Sequence, residues 1–166
     1  MNKLTITFLF VFIFSNSLIA QLVVGENASV TVAENASVTV AGLEINPNSD
    51  MVISGPNSID RNLTSVSING AESMARHYTI SDNLSSYTGT IVYNYSDEDM
   101  NGISHFAALQ VLDSPDGMWM NYADEDEVDN SVTHSFENAI EINSVTANDA
   151  TLSVETIDGE MTISIF

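Results

Sequence analysis

The sequence predicts an all-β protein that consists of a short N-terminal β-repeat extension followed by an antiparallel β-sandwich. Three observations predict it. An eight-residue segment with alternating valines occurs twice without change, short alternating segments separated by turn residues fill most of the remaining chain, and no segment keeps a helical periodicity over several turns. Regularly spaced short strands of this kind are typical of an antiparallel sandwich.

Residues 1–20 have the pattern of a secretory signal peptide. Lys3 supplies a positive charge, residues 4–14 are apolar except for two threonines, and the segment ends at Ala20. The apolar stretch is shorter than the roughly 20 residues that cross a bilayer. The sequence therefore predicts cleavage after Ala20, a secreted or cell-surface location with the periplasm as the alternative, and no transmembrane segment in the mature chain.

The charge balance excludes two classes of partner. Without residues 1–20, two arginines stand against 23 acidic residues, a formal net charge of −21. Such a surface repels nucleic acid and anionic lipid, and it suits a solvated extracellular protein or one that gathers divalent cations. The chain has no cysteine, so an exported fold of this size must be stable through apolar burial without disulfides.

An exact repeat defines the predicted extension at residues 21–55. Residues 26–33 have the sequence Glu-Asn-Ala-Ser-Val-Thr-Val-Ala, and residues 34–41 repeat it without change. The valines of each copy point to one face and the hydroxyl side chains to the other, with Glu34 and Asn35 as turn residues between the strands. The copies are expected to form solenoid-like rungs or hairpins that lean on the next domain, because an independent solenoid generally needs three or more units.

The sandwich domain is predicted at residues 56–166, after a linker-like turn at residues 55–58. Asp158 and Gly159 form the strongest hairpin signal of the chain. Residues 105–112 also fit a helical spacing, and other turns are expected at 97–102, 114–117 and 148–149. The strand candidates are 66–69, 76–80, 88–95, 104–112, 118–122, 131–136, 139–145, 152–156 and 161–166.

A calcium site is the first candidate for chemistry. Asp97, Asp99 and Asn101, followed by Gly102, match the first half of a calcium-binding loop, in which alternate oxygens converge on one hard cation. The bidentate carboxylate of the second half is missing, since Ala108 stands at that position. An acidic hairpin turn is the alternative interpretation. The denser acidic segment at residues 124–129 is expected to be a solvated loop.

A carbohydrate site is the second candidate. Trp119 and Tyr122 lie on one predicted strand with Met118 and Met120, and aromatic side chains can form a platform for a sugar ring. The alternative is that Trp119 fills the core with its N–H satisfied at one edge.

No catalytic mechanism has a candidate in the sequence. His77, His105 and His134 are isolated, without the spacing of a zinc site, and no serine occurs in a Gly-x-Ser-x-Gly motif. Cysteine nucleophiles are excluded by composition. The sequence therefore favours a protein that is not an enzyme.

Three stretches carry a resemblance to a known group of proteins. Residues 27–45, 75–80 and 87–102, with the Ala20-Gln21 junction, resemble secreted surface proteins of the Bacteroidetes, many of which are exported through type IX secretion. The resemblance implies a β-rich, non-catalytic module of an adhesin-like or envelope-associated protein. Such proteins usually end in a separate sorting domain, and nothing after Val145 resembles one, so surface attachment and release both stay open.

The leading functional hypothesis is a structural or adhesive role, with surface glycans or other envelope proteins as partners. The alternative is a carbohydrate-binding module of a glycan-capture system that uses Trp119 and nearby tyrosines.

Overall fold

The prediction of an all-β fold is confirmed. The computed structural model describes residues 21–104, 106–114, 117–126, 128 and 130–149, together with the backbone of two strands beyond them; the predicted signal peptide at residues 1–20 lies outside this part of the chain. The described residues contain strands and one 3₁₀ turn, Asp97–Asp99, but no α-helix. The strands are β1 (Gln21–Val24), β2 (Ser29–Val32), β3 (Val38–Val40), β4 (Leu43–Pro47), β5 (Met51–Ser54), β6 (Asn57–Asn62), β7 (Ser67–Ile68), β8 (Ala71–Glu72), β9 (His77–Asn94), β10 (Ala107–Leu112), β11 (Trp119–Tyr122), β12 (Ser131–Asp149), β13 (Val154–Ile157) and β14 (Glu160–Ile163).

One antiparallel sheet contains most of these strands. Its order is β1-β6-β9-β12-β10-β11, and the β3–β4 hairpin joins it because β4 also pairs with β9. The pairs β2–β5, β7–β8 and β13–β14 are separate two-stranded sheets. The last pair includes Ile157 opposite Glu160, which confirms the predicted hairpin, although Asp158 and Gly159 themselves lie outside the described residues.

Residues 21–62 form one long, interrupted hairpin. β1 pairs with β6, β2 with β5 and β3 with β4, so each pair lies inside the previous one along the chain. The tip is a two-residue turn in which Ala41 has φ of 50° and Gly42 has φ of 106°. Positive φ at both positions is typical of the tight turns that match the twist of a β-hairpin.

The two repeat copies have the same local structure, and they follow the hairpin alternative because they do not pair with each other. Each copy begins with a turn, in which the N–H of Ala28 or Ala36 donates to the carbonyl of Gly25 or Ala33. The asparagine of each turn, at residue 27 or 35, has φ near 60° (59° and 61°). Asparagine tolerates this left-handed conformation better than most residues.

Two predicted pairs of strands are continuous in the structure. The candidates at 76–80 and 88–95 belong to β9, which has 18 residues, and those at 131–136 and 139–145 belong to β12, which has 19. The predicted turn at residues 148–149 is wrong, because both residues pair with β10. Three register shifts interrupt the β9–β12 ladder between Phe136 and Ser144. Bulges of this kind bend a strand without ending it.

β9 folds back on itself, and this bend makes the sheet a sandwich. The rings of Tyr78 and Tyr93 are 5.9 Å apart, whereas a straight strand would separate these residues by about 50 Å. Asn83, Ser86 and Gly89 between them have positive φ values. The two halves of β9 therefore face each other across the core.

The hairpin and the later strands share that core. The fully or almost fully buried side chains on the hairpin include Leu43, Ile45 and Ile59, and they belong to the same cluster as those on β9, β10 and β12. β6 begins at Asn57, so only residues 55–56 of the predicted linker-like turn lie between strands. Residues 21–55 thus contribute strands to the main sheet, through the β1–β6 and β4–β9 pairs.

Candidate functional site

Asp99, the central residue of the predicted calcium loop, forms a buried ion pair. Its Oδ2 lies 2.7 Å from Nη2 of Arg76. The same oxygen accepts hydrogen bonds from the backbone N–H of Ser96 at 2.8 Å and from its hydroxyl at 2.6 Å. The bond from the Ser96 N–H is the carboxylate half of a capping box on the 3₁₀ turn. The charge of this carboxylate is therefore compensated within the protein.

Arg76 also connects the two ends of β9 with the tip of the long hairpin. Its Nη1 donates to the carbonyl of Asn94 at 2.8 Å, and its own carbonyl accepts from the Tyr93 hydroxyl at 2.8 Å. The N–H of Asn94 donates in turn to the carbonyl of Gly42 at 2.8 Å. We call Gly42, Arg76, Tyr93, Asn94 and Asp99 the clasp. Its contacts hold the bend of β9 closed.

The other two residues of the predicted calcium site face other partners. Asp97 Oδ1 accepts from the side-chain amide of Asn130 at 3.1 Å, and the side-chain amide of Asn101 donates to the carbonyl of Ser73 at 3.0 Å. No group of three or more metal-ligating side chains occurs among the described residues. The segment is an acidic turn, but it does not form the hairpin of the alternative interpretation, because β12 lies between β9 and β10 in the sheet. Calcium binding stays a prediction that this geometry does not favour.

Three buried tyrosines line the inside of the bend. Burial is the largest influence on Tyr78, Tyr87 and Tyr93, and it raises the pKa of each above its ordinary value. Their hydroxyls donate to backbone carbonyls, as in the 2.7 Å bond from Tyr78 to Ala41. These groups are thus structural and stay protonated over the physiological range.

Trp119 and Tyr122, the predicted carbohydrate residues, lie on opposite faces of β11. In the β10–β11 ladder, Trp119 is opposite Leu112 and Tyr122 is opposite Leu109. Because side chains alternate between the two faces of a strand, residues three positions apart point away from each other. The prediction that both belong to one aromatic platform is therefore wrong.

The Trp119 face is rich in amides. Trp119 borders a small cleft of about 30 Å³ together with Gln110, Asn121 and Asn148, a space for about one water molecule. The side-chain amide of Gln110 donates to Asn121 Oδ1 at 2.7 Å. Trp119 is half-buried and does not belong to the main core, so its predicted role as core filler is also wrong.

Tyr122 packs within a cluster of rings on the opposite face. Its ring is 4.9 Å from that of His134 and 4.8 Å from that of Phe136. Burial, and after it the nearby Asp113 carboxylate, raise the pKa of Tyr122. His134 Nδ1 lies 2.9 Å from the carbonyl of Ala123. The ring of His134 thus packs against those of Tyr122 and Phe136.

A groove of about 300 Å³ opens beside Tyr122. Its apolar and aromatic side chains come from β10, β11 and the middle of β12, and its other side chains are two carboxylates and one serine. The lining residues are Val111, Asp113, Ser114, Met120, Tyr122, Ile140 and Glu141. Sequence reasoning missed the acidic pair Asp113 and Glu141, because no local pattern brings residues 28 positions apart together; the pairing of β10 with β12 does.

The predicted acidic loop is attached to the sheet next to this cluster. Asp124 Oδ1 accepts from the N–H of Thr133 at 2.8 Å, and Glu125 Oε2 accepts from the N–H of Ser135 at 3.1 Å. Both carboxylates bind the free edge of the first half of β12. Glu127 and Asp129 of the same predicted loop lie outside the described residues.

No protein-family model, curated protein or solved structure matches this chain. In the part of the chain that the structure describes, no helix has the length and apolar content needed to cross a membrane.

Proposed function

We propose that this protein is a non-catalytic β module of an exported or cell-envelope protein, with a structural or adhesive role. The observation that carries the proposal is the open edge of the main sheet at β11. Among the described strands, β10 is the partner of β11 on one side and none pairs with it on the other. Strand edges with unpaired backbone groups are surfaces on which other chains can add a strand.

Exposed apolar side chains at the same edge support the proposal. Met118 is 78% exposed and Met120 is 45% exposed, and both lie at or next to β11. Methionine is flexible and polarizable, which suits surfaces that adapt to partners. A strongly acidic, cysteine-free chain with the pattern of a signal peptide is consistent with contact surfaces outside the cytoplasm.

Export is tested by mass spectrometry on the full chain expressed in a Bacteroidetes host. We expect the secreted or periplasmic fraction to contain a protein with an N-terminus at Gln21. An intact Met1 on cytoplasmic material would contradict export.

Adhesion is tested by binding of the purified secreted chain to immobilised envelope preparations from the same host. Met118→Ser with Met120→Ser is expected to reduce the amount bound. Leu63→Ser with Val52→Ser is the matched control, since these side chains are 58% and 57% exposed and neither lies on β11 or on β1, the two end strands of the main sheet. Equal loss in both double variants, or no binding by the unmodified chain, contradicts the adhesive role.

A carbohydrate-binding module is the second candidate, and the amides around Trp119 favour it. Gln110, Asn121 and Asn148 offer donors and acceptors beside an indole ring, which is the combination that sugar hydroxyls and ring faces bind. A glycan array tests it. Loss of a glycan signal in Trp119→Ala with an unchanged thermal midpoint supports the module, whereas the absence of any glycan signal from the unmodified protein contradicts it.

A further inference from the structure

We propose that the groove beside Tyr122 binds a basic, partly apolar segment of another protein, with a lysine or arginine side chain of that segment lying between Asp113 and Glu141. This inference rests on the proposed adhesive role and names the chemistry of its partner.

The lining of the groove fits such a side chain. Met120, Tyr122 and Ile140 supply an apolar floor, and Tyr122 and Ile140 pack against the main core from outside. The long methylene stem of lysine or arginine covers apolar surface of this kind while its charged end stays near water. An aromatic face also attracts the cation itself. The volume of about 300 Å³ is enough for one or two side chains and too small for a helix.

The charge of the groove selects a basic partner. Of the described residues that line it, Asp113 and Glu141 are acidic and none is basic. Both carboxylates are exposed, and neither side chain forms an ion pair with another described residue. Arg76 is engaged with Asp99 in the clasp. A cationic side chain is thus the complement that the described residues do not supply at this position.

The strand at the rim favours an extended partner. Met120 belongs to β11, whose outer edge pairs with no described strand. A peptide that adds to this edge places every second side chain on the groove face, because side chains alternate along a strand. A segment with alternating basic and apolar residues therefore matches both the edge and the groove.

The probe is a soluble peptide of alternating lysine and valine, compared with versions in which glutamate or norleucine replaces each lysine. Binding to the purified secreted chain is measured by calorimetry at low and at physiological ionic strength. We expect the lysine peptide to bind, more weakly at the higher ionic strength, and the other two to bind at least about fivefold more weakly, since exposed ion pairs contribute modestly.

The site is tested with Asp113→Asn/Glu141→Gln against Glu26→Gln/Glu34→Gln. Both double variants remove two exposed carboxylates, but the second pair lies in the repeat turns, so the net charge is matched. We expect about fivefold weaker binding in the first variant only. Glu141→Gln alone keeps the test valid if Asp113→Asn disturbs the turn at Gly117, whose backbone lies close to the Asp113 side chain.

Equal weakening in both double variants would assign binding to the overall negative field and overturn the proposal, as would equal binding of the glutamate peptide. No binding of the lysine peptide to a chain that still adheres to envelope material overturns this inference alone. Loss of that adhesion as well overturns the proposed function.

Discussion

The second half of the long hairpin, residues 43–62, which we call the return arm, runs beside β9. Only β9 is a continuous strand. Residues 43–62 pair with β9 at both ends, through β4 and β6, but in the middle β5 leaves the sheet to pair with β2. β9 has neighbours on both sides, since β12 follows it through the bend. Pro47 ends β4 at the point where the arm departs, and proline has no N–H to continue a ladder.

The return arm and β9 have similar lengths and follow the same bend, but their backbones accommodate it in different ways. The hairpin bends by breaking into short strands separated by turns. Two of these turns contain the Glu-Asn pairs of the repeat. β9 bends through residues with positive φ and bulged pairing while its ladder continues. A strand that is paired on both sides can bend and stay continuous, because the hydrogen bonds lost at a bulge are few compared with those that its two neighbours keep. The predictions below test this difference, beginning with the clasp that closes the bend.

The largest effect is expected for Asp99→Ala. This change leaves Arg76 buried without its carboxylate at the junction of the β9 ends, and loss of one partner of a buried pair costs about 3–5 kcal/mol. Urea unfolding of the purified chain measures it. The double variant Arg76→Leu/Asp99→Leu is the control and is expected to regain part of the loss. Comparable stabilities of Asp99→Ala and the unmodified protein would show that the clasp does not hold the bend.

Gly89→Ala tests the contact between β9 and the return arm. Gly89 has φ of 140°, and an added Cβ would overlap the Asn46 carbonyl and lie 2.7 Å from Pro47 Cα. We expect a loss of about 3 kcal/mol from the overlap and the strained backbone together. Gly102→Ala is the matched control, because Gly102 has φ of 83° with nothing within 4 Å of the added atom. Equal losses in the two variants would leave only the backbone conformation as their cause.

Val40→Ala and Val32→Ala compare the two repeat copies. The valines occupy the same position in each copy and are 5% and 6% exposed, but Val40 belongs to the main core cluster and Val32 does not. We expect Val40→Ala to lower the free energy of unfolding by about 2 kcal/mol and Val32→Ala by roughly half as much. Thermal and urea unfolding of both variants check it. Identical losses would mean that the copies are energetically equivalent.

Alkaline pH tests the buried tyrosines of β9. Burial raises the pKa of Tyr93 in the folded state, so the unfolded chain loses its proton first, near pH 10. Stability is therefore complete below pH 10 and falls as pH rises above it. Tyr93→Phe is expected to remove about 1 kcal/mol of the loss between pH 10 and 11. A pH dependence that is the same with and without the hydroxyl would contradict this assignment.

Asp97→Asn is expected to have the smallest effect. Asp97 is exposed and its hydrogen bond to Asn130 can be made by an amide oxygen as well, so the free energy of unfolding should change by less than about 0.5 kcal/mol. Calcium and magnesium at matched ionic strength should shift the thermal midpoint equally in both proteins. A calcium-specific shift that disappears in Asp97→Asn would restore the predicted calcium site.

Much of the local structure follows from the sequence. The alternation of Val30 and Val32 with hydroxyl residues, the Glu-Asn turns and the Asp158-Gly159 hairpin signal are local patterns. The structure has strand β2 and the two repeat turns where these patterns predict them, and it pairs β13 with β14 on either side of residues 158–159. Local patterns suffice here because side-chain alternation and backbone preferences act over a few residues. The sequence did not predict β6, and it predicted β9 and β12 each as two separate strands, because turn-forming residues occur in these segments. Pairing with neighbouring strands kept them extended despite those residues.

The sequence by itself determined that the chain is all-β, that it must fold without disulfides and that its surface is strongly acidic. Only the tertiary structure decided that Asp99 pairs with Arg76 and that Asp113 and Glu141 share a groove with Tyr122. It also separated Trp119 from Tyr122 by placing them on opposite faces of β11. The physical reason is that strand pairing joins residues far apart in the chain, and a single register fixes which side chains share a face.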